Sequence, residues 1–476
     1  MTNLSDLFPA GAGKQVSFVA DGTLSNGQAV ALKADGTVEA VAVTGFSISF
    51  AAPFVASTGN AFYLTSVYDS TNNKVVIAYS DNAISDDGYS VVADNSSAGT
   101  PVVFDTANSN SIAAAFDSNA GKVVIAYKGA SGYGTAIVGT VSGTSISYGT
   151  PVVFNGAGSD NISATFDSDS NQVVIAYRDH GNSYYGTAIV GAVSGTTISY
   201  GTAVAFQATN TQQTSMAFDS DANKVVIAYK DDAGSLGKAI VGTVSGTAIS
   251  FGTAVTFESA AANFCSSTFD SASNKVVISY QDAGNSDYGT AIVGTVSGTA
   301  ISFGTAVVFE AAATAEVSST FDTAGGVAIA YKDQGNSSYG TAIVGTVSGT
   351  AISFGTPVVF ETANTTYTSA VFDTSTGKVV ISYADNGSTG DATVSVGTLS
   401  GIGNNASFIG ITDAAISDTA SGNVTIKGGI AASGLSSLTP ASDYYVQADG
   451  TISTSSAGTK IGKAMSATSI NLEYQS

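Results

Sequence analysis

Seven times along the chain an aromatic residue is followed by aspartate: Tyr68-Asp69, Phe116-Asp117, Phe166-Asp167, Phe218-Asp219, Phe269-Asp270, Phe321-Asp322 and Phe372-Asp373. The spacings are 48, 50, 52, 51, 52 and 51 residues. Each pair is followed by KVVIAY or a close variant, from residues 74–79 to KVVISY at 378–383. The segment GTAIVGTVSGTAISFGT stands at 289–305 and again, unchanged, at 340–356. Self-similarity at a fixed period of this length means that one supersecondary unit recurs and buries its faces against its neighbours.

Within a unit the pattern predicts four strands. The first alternates apolar and polar residues and ends in a sequence such as SATFD. The second, KVVIAY, is apolar on both faces, as expected of a strand covered on both sides. The third is GTAIVGTV and the fourth AISFGTAVVF, bent at its Gly. Asp-rich turns such as DSDSNQ join the first strand to the second, and V-S-G-T joins the third to the fourth. Four antiparallel strands repeated seven times predict an all-β, seven-bladed β-propeller. The segment TGFSISFAAPF at 44–54 matches a fourth strand but precedes the first unit, whereas the seventh unit leaves the pattern after ATVSVGTLSG at 392–401. The N-terminal strand is therefore expected to complete the last blade and remove the exposed edges.

Composition agrees. Charged residues make up 11% of the 476 residues and hydrophobic ones 44%, which favours short strands and tight turns over charge-rich helices. A net charge of −21, with Arg178 the single arginine, argues against nucleic acid and against an anionic membrane surface. Cys265 is the only cysteine, so no intrachain disulfide can form, and it reads as a small packing residue. No signal peptide and no apolar run of transmembrane length is visible, so synthesis in the cytoplasm without membrane insertion is expected.

Residues 1–43 and 402–476 lie outside the repeat and share a motif, Ala34-Asp35-Gly36-Thr37-Val38 and Ala448-Asp449-Gly450-Thr451-Ile452, which predicts a hairpin in each. The expected organisation is one small β domain, built from both flanks, with the propeller (44–401) inserted. The flanks, notably FIGITDAAIS, YYVQADGTIST and GKAMSAT, resemble a small β module of structural proteins of tailed bacteriophages that infect marine bacteria and cyanobacteria. The resemblance implies a virion-surface protein, of the appendage, fibre or capsid-decoration type. It implies attachment to other virion proteins through 1–43 and 402–476, and it is compatible with a homo-oligomer. It brings no catalytic residues and no cofactor.

Loops entering each unit and loops after the second strand are long and variable, and they should share one face. They combine Tyr with Asp, Asn, Ser and Gln, the side chains that sugar recognition uses. Tyr184, Tyr185, Tyr288, Tyr339 and Tyr367, with Asp179, His180, Asp282 and Asp333, are the candidate ligand-binding residues for host-surface or environmental glycans. The alternative for these tyrosines is that they only begin the third strand and pack between blades. Asp69, Asp117, Asp167, Asp219, Asp270, Asp322 and Asp373 are expected to lock turns by accepting from backbone amides. FDSDSNQ at 166–172 resembles part of a calcium loop but lacks its Gly and distal Glu, so no metal is expected. Glycoside hydrolysis needs two carboxylates at unique positions, yet Glu258, Glu310 and Glu361 recur at equivalent places. No catalytic site is expected. The competing possibilities are a purely structural decoration protein and a glycan-cleaving enzyme using a unique residue such as His180.

Overall fold

A computed structural model describes residues 14–41, 43–322, 325–403, 407–447, 450–456 and 458–473. Residues 1–13 of the N-terminal flank and Ala448-Asp449 of the second hairpin motif lie outside them. The chain is all-β apart from short 3₁₀ turns, and it forms two compact units: Met1–Phe46 with Ser400–Ser476, and Ser47–Leu399.

The larger unit repeats one antiparallel arrangement, shown here by its third copy. The end of strand Val152–Asp167 pairs with Gln172–Asp179 (Phe166 opposite Val173, Ala164 opposite Ile175). That strand pairs with Tyr185–Ser194 (Ile175 opposite Ile189). The third strand then carries a fourth in two pieces, Thr197–Tyr200 on one half and the start of Val204–Asp219 on the other. Val173, Val174, Ile175 and Ala176 are all fully buried, for a reason visible in their neighbours. Val173, Ile175 and Tyr177 pack with Val124 and Ala126 of the preceding copy, whereas Val174 and Ala176 pack with Val225 and Ile227 of the next. Alternate side chains of one strand thus serve two interfaces, each buried Val or Ile stabilising by about 1.5–3 kcal/mol.

The fourth strand breaks at its Gly because the next copy needs the space. A Cβ on Gly149, Gly201, Gly252 or Gly304 would collide with the carbonyl oxygen of Thr196, Thr247, Thr299 or Thr350, the Thr of the following copy's third-to-fourth turn.

Before the first copy, Phe54–Ser57 pairs with the third strand of the last (Val394 opposite Phe54, Ala392 opposite Ser57), and Val43–Phe50 neighbours the same strand. The first strands of the first and last copies also meet: Ser66 N donates to Ser369 Oγ (2.9 Å). Val75 and Ile77 share a core with Val380, Ala384 and Val394.

In the smaller unit, strands of both flanks interleave in one sheet, ordered Gln15–Val19, Ser421–Ile426, Phe408–Thr412, Ala29–Leu32, Val38–Ala40. A second sheet comes from the C-terminal flank alone, and Ala29, Ala31, Phe408, Tyr444, Val446, Ile461 and Leu472 share one core with its strands. In the first hairpin motif Asp35 Oδ1 accepts from Thr37 N (3.0 Å), and Gly36 takes φ +87°, where a side chain would be strained. Gly450 takes φ +81° at the equivalent place.

Candidate functional site

Each first strand of the larger unit carries a bulge, a register shift that falls between Phe62 and Thr65 in the first copy and between Thr366 and Ser369 in the last. At every bulge one residue adopts a left-handed conformation: Tyr63 (φ +50°), Ser111 (+48°), Asn161 (+48°), Gln213 (+55°), Phe264 (+49°), Glu316 (+53°) and Tyr367 (+53°). Such a conformation costs a non-glycine residue on the order of 1–3 kcal/mol and persists only where the surroundings impose it. Glycine would remove the strain, yet all seven positions carry side chains. The second and third strands are nearly identical from copy to copy, whereas the bulges present two Tyr, Phe, Ser, Asn, Gln and Glu.

All seven residues line one pocket of about 520 Å³, with Asp160, Cys265, Thr368 and the apolar Leu64, Ile112, Ile162 and Val317 that follow four of the bulges. Neighbouring bulges are tied together by the same side chains. Gln213 N donates to Asn161 Oδ1 (3.0 Å), Phe264 N to Gln213 Oε1 (3.1 Å) and Tyr367 N to Glu316 Oε2 (3.0 Å). A serine belt lies just below: Ser267 N donates to Ser215 Oγ (2.8 Å), Ser319 N to Ser266 Oγ (2.9 Å) and Ala370 N to Ser318 Oγ (2.9 Å). The Tyr367 ring lies 5.5 Å from those of both Phe62 and Tyr63. Burial raises the pKa of Glu316, against the hydrogen bond from Tyr367 N and the charge of Lys332. Burial, with Tyr63 and Glu316 nearby, pushes the Tyr367 hydroxyl up to about 12. Burial pushes the Cys265 thiol up to about 12, and its Sγ–H donates to Ala262 O (3.5 Å).

Asp160 joins this pocket to the loops. Arg178 grips it bidentately (Nε to Oδ1 2.6 Å, Nη2 to Oδ2 2.8 Å), and His180 Nε2 lies 2.9 Å from the same Oδ2. Burial works against the charge on Asp160, but Arg178, helped by Asn161 and His180, holds the pKa below the usual carboxylate range. Arg178 and His180 in turn lie against the Tyr184 ring, at 5.2 and 4.8 Å. Tyr184, at φ +64° and 46% exposed, is therefore an aromatic surface on a prepared support.

The other candidates divide. Tyr185, Tyr288 and Tyr339 are half-buried at the start of third strands, opposite Asp179, Asp282 and Asp333. These aspartates accept from backbone amides of the following turn: Asp179 from Gly181 (2.9 Å), Asp282 from Gly284 (2.9 Å) and Asp333 from Asn336 (3.0 Å). Burial and Glu258 raise the pKa of Asp282. Among the aspartates of the first turn, Asp117 Oδ1 accepts from Asn119 N (3.0 Å) and Ala120 N (2.8 Å), and Asp69, Asp167, Asp219, Asp270 and Asp373 repeat the pattern. Asp322 takes part in its turn through its backbone, donating to Gly326 O (2.8 Å). Glu258, Glu310 and Glu361 accept from the buried hydroxyls of Tyr280, Tyr331 and Tyr383 (3.0, 2.9 and 3.0 Å), which is a packing role.

Sequence reasoning singled out Tyr367 but missed the other six bulge residues. The signal was present: each stands six residues before the landmark Asp, as Asn161 does before Asp167, at a variable place in an otherwise constant frame. Among the described residues no group of His, Cys, Asp and Glu could hold a metal ion, and no helix is long and apolar enough to cross a membrane.

No family model matches the chain, and no curated protein matches it. Among solved structures it is similar to the SapL1 lectin in complex with alpha methyl fucoside (12% identity, 64% of this chain and 97% of that one, TM-score 0.40). It is also similar to the NanB sialidase from Streptococcus pneumoniae (10% identity, 74% and 70%, TM-score 0.43). A third is AofleA from Arthrobotrys oligospora (9% identity, 69% and 94%, TM-score 0.40).

Proposed function

We propose that the seven copies close into a seven-bladed β-propeller and that the chain is a non-enzymatic adhesion protein holding glycans at the bulge end. One observation carries this: a single strained backbone geometry is repeated seven times around one pocket, and it presents six different side-chain types there. A scaffold whose sole task was to fill space would repeat the side chain as it repeats the backbone. The chemistry fits a polyol. The rings of Tyr63, Phe264 and Tyr367 offer flat apolar faces, and Asn161, Gln213 and Glu316 offer hydrogen-bonding groups among them. Tyr184 extends the aromatic surface toward solvent. The pairing of Phe54–Ser57 with the last copy supports closure, since it leaves the third strand of that copy no open edge.

The resemblance of the flanks to a phage module supports display on a virion surface, with the small β unit as the anchor. An averaged cryo-electron microscopy map of particles carrying the protein tests this: a disc of seven blades at an appendage tip or on the shell is expected. Particles without such a disc would refute the placement. Recognition is tested on the full chain by a glycan array. The account expects saturable binding to a subset of saccharides, at least tenfold weaker in a Tyr63→Ala/Tyr367→Ala variant with an unchanged circular dichroism spectrum. No binding to any saccharide would favour a purely structural decoration, and sugar release would favour an enzyme.

A further inference from the structure

We infer that the pocket selects its saccharide by charge, taking amine-bearing sugar rings in preference to neutral ones and rejecting acidic ones. This rests on the glycan reading above and adds the class of sugar. The two ionisable carboxylates lining the pocket are Asp160 and Glu316, and no Lys or Arg is among the lining residues. The nearest guanidinium, Arg178, places both Nε and Nη2 on Asp160 and lies over Tyr184, so it is already engaged and is not among the lining residues. The Asp160 charge is therefore offset by Arg178, whereas Glu316 makes no ion pair among the described residues and feels Lys332 only at longer range.

Glu316 is the group left to recognise something. Its Oε2 accepts from Tyr367 N (3.0 Å), and a carboxylate has lone pairs for further donors. Sugar hydroxyls can donate to it, and an ammonium does so with charge assistance, at roughly twice the strength of a neutral hydrogen bond. A sugar carboxylate would instead meet Glu316 in a partly desolvated pocket, with Lys332 the cation acting on Glu316 and that only from beyond ion-pair distance. The net charge of −21 adds repulsion on approach. The Tyr367 and Tyr63 rings, tilted at 46° to each other beside Glu316, give the cation a second favourable contact through a ring face.

The test compares albumin conjugates of glucosamine, glucose and glucuronic acid, and the matched galactose series, for binding to the full-length chain by biolayer interferometry. In whichever series binds, the amine-bearing sugar is expected to bind at least threefold tighter than the neutral one, and the acidic sugar at least tenfold weaker. Glu316→Gln keeps an acceptor for Tyr367 N and is expected to fold; in it the ratio of amine-bearing to neutral affinity should fall to about one. Acidic sugars bound as well as neutral ones, or an unchanged ratio in Glu316→Gln, would overturn the charge selection while leaving glycan recognition standing. Failure of every conjugate to bind, on a chain whose array is also blank, would overturn both.

Discussion

At the scale of single residues, the repeated turn aspartates hold the copies' first turns by accepting from backbone amides. Asp117 accepts from two turn amides, so Asp117→Ala is expected to cost about 1–2 kcal/mol, read as a lower urea midpoint with an unchanged m value. Asp373 gives the pH dependence its sign. Burial opposes its charge, but hydrogen bonds from Thr376, Ser375, Tyr68 and Asn95 outweigh that and hold its pKa far below the ordinary value. A depressed folded pKa means stability that is fully present above the unfolded pKa of about 4 and is lost as pH falls below it. Asp373→Asn is therefore expected to lower the melting temperature at pH 7 and to narrow its gap to wild type by pH 3. Glu316 has the opposite sign, because its raised pKa makes the folded state less stable above the pKa than below it. Glu316→Gln should raise the melting temperature at pH 7 and change it little at pH 4; a lower melting temperature at pH 7 would contradict this. Turn aspartates could be recognised from sequence because Asp before a Ser- and Asn-rich turn has one common use. Glu316 could not, since its burial comes from contacts with the next copy, where Tyr367 N donates to it.

At the scale of elements, the outer strand and the turn of the next copy are the most sharply specified contact. Gly201→Ala drives a Cβ into the Thr247 carbonyl, which is backbone and cannot move aside, so a loss of about 1–3 kcal/mol is expected. Gly195→Ala is the control: φ is +62° but the space is open, so only a backbone cost of about 1 kcal/mol is expected. Thermal unfolding of the two variants decides it, and equal losses would mean that the packing between copies is looser than described. Strand order, the doubly buried KVVIAY and the bend at Gly were legible because each follows from periodicity or from a residue with one dominant use. The bulges were not. Tyr63, Ser111 and Gln213 carry no local signal for a left-handed conformation; the lattice of strands around them imposes it.

At the scale of the whole molecule, the account rests on seven copies acting as one object around one pocket. Residues 43–57 provide the outer strand of the last copy, so a chain in which a flexible Gly-Ser segment of equal length replaces residues 43–57 should expose the edge of Asp391–Gly403 and self-associate. Sedimentation would show this as a shift toward larger species, absent when a peptide of residues 43–57 is supplied. The interleaving of both flanks in one sheet was foreseeable only as the simplest topology, because neither flank alone supplies a covered sheet. The most direct measurement is a crystal structure of the chain soaked with the tightest-binding saccharide of the array. The account predicts sugar density among Tyr63, Glu316 and Tyr367. Density confined to the rims of the loops at Tyr185, Tyr288 and Tyr339, with the pocket holding solvent alone, would contradict it.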